Sequence, residues 1–179
     1  SKPVPAYSYE IKVKAPSGQI HNIDMIIPEE IAGKKLTSLE RDKLAEQVKL
    51  AVQESPEEYI NNINQILVHP SENKNRATFL ATASADGTID IYPNLLQHNQ
   101  AYINRTMLHE HAHVIAGQIY NNKSMLPDGT WQHAVQKDMQ QGGSVTGYAQ
   151  VDSAEDFAET VALYLESDGG LLDPTLRER

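Results

Sequence analysis

The chain has 179 residues, of which 40% are hydrophobic, enough for one well-buried core and no more than a small appendage. A formal charge of −9 with no basic stripe argues against nucleic acid as a partner, and no run of eighteen apolar residues is present to span a bilayer. The lack of cysteine excludes disulfides, thiolate metal sites and a cysteine nucleophile together, so any metal must be held by nitrogen and oxygen.

The opening "SKPVPAYSYE" has neither an initiator Met nor the apolar core of a signal peptide, and is expected to be a mature or trimmed end, or the start of a domain cut from a longer chain. "AYSYEIKVKA" alternates apolar and polar residues, "PSG" supplies a turn and "QIHNIDMIIP" resumes the extended pattern, so residues 1–36 read as a hairpin region. Residues 37–87 turn helical. Thr37 stands three before Glu40 in a capping-box spacing, and Leu39, Leu44, Val48, Ala51 and Val52 mark one helical face. "SPEEYINNINQILVHP" is predicted as a second helix, with Ser55 as cap, Pro56 at the first helical position and Tyr59, Ile60, Ile63, Ile66 and Leu67 as its apolar stripe.

"ATFLATASADGTIDIYP" gives two short β-type runs around Asp86-Gly87, a hairpin signal. The second run, Thr88 to Tyr92, leads into a helix expected from about Leu95 to Tyr120. This second run is a candidate sheet edge, along which an extended peptide could pair by main-chain hydrogen bonds. "NNKSMLPDGT" breaks the helix, and "YNNKSMLPDGTWQH" is the candidate for a specificity-bearing or mobile loop, where Trp131 either lines the cleft or anchors the loop and His133 is expected at the surface. "WQHAVQKDMQQ" reads as a short helix and "GGSVTG" as a loop. "DSAEDFAETVALYLES" reads as a last helix, capped by Asp152 or Ser153 and stopped by "DGG" ahead of a tail over 167–179.

Chemistry concentrates in "HEHAH", residues 109–113. On a regular helix, residues four apart lie about 40° apart, so His109 and His113 share a face and can share one ion, whereas His111 lies about 200° from His109 and points away. Glu110 projects beside the pair, close enough to move a proton on water at the metal. This is the mechanical content of H-E-x-x-H. The apolar neighbours Met107, Leu108, Val114 and Ile115 argue for burial, where histidines need partners. A catalytic zinc with two histidines takes a third protein ligand from elsewhere. Glu155 and Glu159 lie four apart on one side of the last helix and are candidates for it, although both also suit the helix N-terminus electrostatically.

"HEHAH", followed by "GYAQVDSAEDFAE", resembles the gluzincin-type catalytic domain of anthrax lethal factor and its relatives, including the secreted Pro-Pro endopeptidases, over roughly residues 88–166. Tyr148 precedes Glu155 by seven positions, as in those proteins. The resemblance implies an α+β zincin-like domain over residues 1–179, with a small sheet whose edge strand precedes the HExxH helix and a C-terminal helix that carries the third ligand. It implies Zn2+ held by His109, His113 and Glu155, Glu110 as general base, Tyr148 as support for the oxyanion and Glu159 behind the ligands. The expected activity is zinc-dependent hydrolysis of a protein or peptide substrate by a secreted or delivered enzyme, expected as a monomer. The alternatives are a protease toxin domain released from a larger effector and a metal-binding pseudoenzyme or interaction module. Peptide deformylase also carries HExxH, but the cysteine it places on the metal has no counterpart here.

Overall fold

The computed structural model describes residues 4–75, 78–120 and 145–167, together with His133, Gln136, Lys137 and Gln140. The specificity loop, Trp131 and the "DGG" stop fall outside the described residues, while His133 is exposed as expected.

Strands β1 (Ala6–Lys14) and β2 (Ile20–Pro28) pair antiparallel from Ala6 opposite Pro28 to Lys14 opposite Ile20. Their alternation decides which face is buried: Ile11, Val13, Ile23, Met25 and Ile27 point inward, while Glu10, Lys12 and Asp24 stay in solvent. A small ribbon of β3 (Glu30–Ile31) and β4 (Lys34–Lys35) then leads to helix α1 (Ser38–Gln53). The capping box forms as the sequence predicts. The Thr37 side chain accepts from the Glu40 amide and the Glu40 side chain accepts from the Thr37 amide. Leu44, Val48, Ala51 and Val52 are buried, but Leu39, expected on the same face, is 62% exposed, because at about 100° per residue it projects from the side of the helix opposite Val48.

The second predicted helix is wrong beyond its first turn. Helix α2 covers only Glu57–Ile60, with Pro56 at the cap position, and Gln65–Val68 is strand β5. Ser55 does not cap; its hydroxyl is buried against His111. The apolar residues at 60, 63, 66 and 67 fit a helical stripe, yet "QILV" lies between two parallel neighbours that satisfy its backbone on both sides. Ile66 and Val68 are accordingly buried on the core side.

Strands β6 (Ala81–Ala83) and β7 (Thr88–Ile91) complete a five-stranded sheet in the order β1-β2-β5-β7-β6. The expectation that Thr88–Tyr92 forms the edge is therefore corrected. β7 lies between β5 and β6, because the Asp86-Gly87 turn folds β6 back antiparallel along it, and β6 is the edge. The turn is pinned by the Gly87 carbonyl, which accepts from the Asn64 amide at 2.9 Å. Gly87 has φ of +87°, and a Cβ there would run into the Asn62 carbonyl oxygen. Gly87→Ala is expected to cost more than the roughly 1–2 kcal/mol of left-handed backbone strain alone. Urea denaturation measures this, and an unshifted midpoint would contradict the turn as described.

The helix expected from Leu95 is interrupted. A 3-10 turn at Leu95–Gln97 ends at His98, and helix α3 runs over Gln100–Tyr120 after Asn99, whose side chain accepts from the Tyr102 amide at 2.9 Å. Ile103, Met107 and Val114 of α3 join α1 and the inward sheet face in one core. A second 3-10 turn, Tyr148–Gln150, precedes helix α4 (Ser153–Glu166), which packs on α3 and is capped by Asp152 accepting from the amides of Ala154 and Glu155. No helix among the described residues is long and apolar enough to cross a membrane.

Candidate metal centre

The packing of α4 on α3 brings the two halves of the motif together. One turn of α3 presents His109 and His113, whose ring centroids lie 4.8 Å apart. The first turn of α4, fixed by the Asp152 cap, presents Glu155 to both: its Oε2 stands 3.0 Å from His109 Nε2 and 3.3 Å from His113 Nε2, and the two Nε2 atoms are 3.1 Å apart. Ligands held at 2.0–2.1 Å by a tetrahedral zinc lie about 3.3 Å from one another, so the three donors are spaced as one such ion requires. Among the described residues, this His-His-Glu group is the one that could hold a metal ion.

Glu159, one turn further along α4, does not join that triangle. Its Oε1 stands 2.9 Å from His109 Nδ1, which leaves Nε2 of the same ring directed at Glu155. Its other oxygen accepts from the Thr146 hydroxyl at 2.7 Å and lies 3.5 Å from Arg105 Nη2. Sequence reasoning missed both Arg105 and Thr146. Arg105 had a legible signal, since it precedes His109 by four positions and so faces the same side of α3. Thr146 had none.

The charges of the group follow from this geometry. Burial alone would lower the His109 pKa, but the carboxylates of Glu155 and Glu159 outweigh it and raise the value to about 9. Burial would likewise raise Glu155, yet hydrogen bonds to His109 and His113 hold it well below the usual carboxylate range. Glu159 is lowered in the same way: burial opposes the shift, and His109 and Thr146 supply most of it. A cation bound among these groups competes with the proton on His109.

Glu110 is 6% exposed and its carboxyl pKa is raised by burial, against the opposing pull of His109 and His113. It borders a cleft of about 270 Å³ that is also lined by His109, His113, Glu155 and the edge strand β6. Tyr148 closes one side of this cleft, with its ring centroid 5.9 Å from that of His109. His111 points away from the site, as the helical wheel requires. It is 1% exposed, its Nδ1 meets the Ser55 hydroxyl, and burial lowers its pKa to about 3, so the ring is neutral.

A family model described as "Putative zinc-binding metallo-peptidase" matches residues 69–178, more than half of the chain. No curated protein and no solved structure matches.

Proposed function

The chain belongs to the zinc-binding metallo-peptidase family whose model it matches, and we propose that it is an endopeptidase of the lethal-factor type, cleaving an extended protein or peptide segment laid along the cleft. One observation carries this reading: the donor triangle of His109, His113 and Glu155 opens onto the same cleft as the buried carboxylate of Glu110. A purely structural metal site has no need of that carboxylate.

In this reading, His109 Nε2, His113 Nε2 and Glu155 Oε2 hold the zinc. The ion, when bound, supplies Lewis-acid polarisation of the scissile carbonyl and lowers the pKa of water towards neutrality. Glu110 takes the proton from the attacking water and delivers it to the leaving amine; its burial makes it more basic than a carboxylate in solution and suits it to both transfers. Charge then builds on the carbonyl oxygen, and the Tyr148 hydroxyl, on the cleft wall beside His109, donates to it. Glu159 holds the His109 ring from behind through Nδ1, which fixes the direction of Nε2 and raises its basicity. The lethal-factor kinship is supported by the seven-position separation of Tyr148 and Glu155 and by the position of Tyr148 next to His109. The substrate's backbone is expected to pair with the edge strand β6, in place of β7.

A peptide-library digest read by mass spectrometry tests the reading. Cleavage at internal bonds, abolished by a chelator, restored by added zinc and absent from Glu110→Ala, is the expected result. Cleavage indifferent to the chelator, or a wild-type protein that binds zinc and cuts nothing, would overturn it.

A further inference from the structure

We infer that Thr146 is a positioning residue that ties the turn carrying Tyr148 to the carboxylate holding His109, so that the oxyanion donor and the metal ligands move as one unit. The inference rests on the reading of the cleft as a peptidase site.

Three contacts of one hydroxyl and its partner carry it. Thr146 Oγ1 donates to Glu159 Oε2 at 2.7 Å, a short bond to a charged acceptor. The same oxygen accepts from the Ala149 amide at 3.1 Å, inside the 3-10 turn Tyr148–Gln150. Glu159 in turn accepts from His109 Nδ1 with its other oxygen. A hydroxyl has one proton to give and lone pairs to receive, so Thr146 uses its donor on the metal-side carboxylate and its acceptor on the tyrosine-side backbone. Arg105 Nη2, 3.5 Å from Glu159 Oε2, adds a positive charge on the side of the carboxylate away from His109.

The alternative is that the Tyr148 turn is held by its own backbone alone. That turn has one internal hydrogen bond, from the Val151 amide to the Tyr148 carbonyl at 3.0 Å, and its cap position, Gly147, provides no side-chain bond. Tyr148 is 47% exposed, and its ring lies beside that of His109. The Thr146 hydroxyl is a contact that links the position of Glu159 directly to the backbone of this turn.

Thr146→Val keeps the shape of the side chain and deletes the hydroxyl; Thr146→Ser keeps the hydroxyl. In zinc-loaded Thr146→Val, amide exchange at Ala149 is expected to rise at least tenfold while β1, β2 and α1 keep their protection. Zinc affinity, measured by chelator competition, is expected to fall about tenfold, as for other groups that support a ligating histidine. With zinc saturating, kcat is expected to fall about tenfold or more with KM little changed, and Thr146→Ser should restore all three. Wild-type exchange at Ala149 in Thr146→Val would overturn the proposal. So would a loss of protection throughout the chain, or a Thr146→Ser protein that behaves like Thr146→Val, since each would make Thr146 a structural residue only. The exchange measurement does not depend on turnover. A wild-type protein without peptidase activity would thus sink the functional reading while the tie between Glu159 and the turn is still tested.

Discussion

His113→Ala and His109→Ala are expected to lose bound zinc and all hydrolysis, whereas His111→Ala keeps one zinc per chain and loses stability instead. The three histidines lie within five residues, so the contrast is one of geometry alone. His109 and His113 direct Nε2 atoms at Glu155 from successive turns of α3, 3.1 Å from each other. His111 leaves the opposite side of the helix and meets Ser55 in a region with no access to solvent. Removing one imidazole from a three-ligand site leaves two protein ligands, too few to hold zinc tightly, while removal of His111 leaves the Ser55 hydroxyl buried without that partner, on the order of 1–3 kcal/mol. Metal analysis of the purified variants, read beside their thermal melting temperatures, separates the two classes. Because zinc displaces the proton that Glu155 and Glu159 stabilise on His109, binding by the wild-type protein should also weaken as the pH is lowered below about 9. Equal zinc content in His111→Ala and His113→Ala would mean that the donor triangle is not where the ion sits.

The same helix shows why part of the molecule was legible in its residues. HExxH needs only the 3.6-residue period to be converted into a shared face, and the caps at Thr37 and Asp152 are local devices whose partners lie within three positions. The Asp86-Gly87 turn is equally local. What failed was non-local. "QILV" has no period of its own, and its apolar residues continue the spacing of Ile60 and Ile63, so only pairing with β2 and β7 makes it a strand. The edge strand was misassigned for a related reason. A hairpin in the sequence says that two strands pair, but not which of them has a further neighbour, and here, among the described residues, β7 received β5 while β6 received none. Within the site, the residues with metal-ligand spacing could be named in advance, but the hydroxyl of Thr146 acts on Glu159 and Ala149 through a turn whose shape no residue pattern announces.

Tyr148→Phe and Glu110→Ala should both keep their zinc and both lose activity, by different amounts and for different reasons. In the proposed mechanism, Glu110→Ala removes the group that moves protons in both halves of the reaction. Neither carboxylate of α4 at the site is free to replace it, because Glu155 faces the two imidazoles and Glu159 is engaged by His109, Thr146 and Arg105. A fall in kcat of about 10⁴ is expected, the upper range for general acid–base catalysis. In the same proposed mechanism, Tyr148→Phe deletes a hydroxyl required chiefly once charge has developed on the carbonyl oxygen, so kcat should fall about a hundredfold or more with KM nearly unchanged. The ring lies nearly half in solvent, at 47% exposure, and the phenylalanine ring fills the same place, so melting temperature should hardly move. The pattern across the two variants is more telling than either value. Intact metal, intact stability and a loss confined to kcat place the Tyr148 hydroxyl in the transition state. A Tyr148→Phe protein with wild-type kcat would remove it from the mechanism and, with it, the main support for lethal-factor kinship. A variant that released zinc or melted early would instead assign Tyr148 to holding the cleft wall against His109, and its seven-residue spacing from Glu155 would reflect packing.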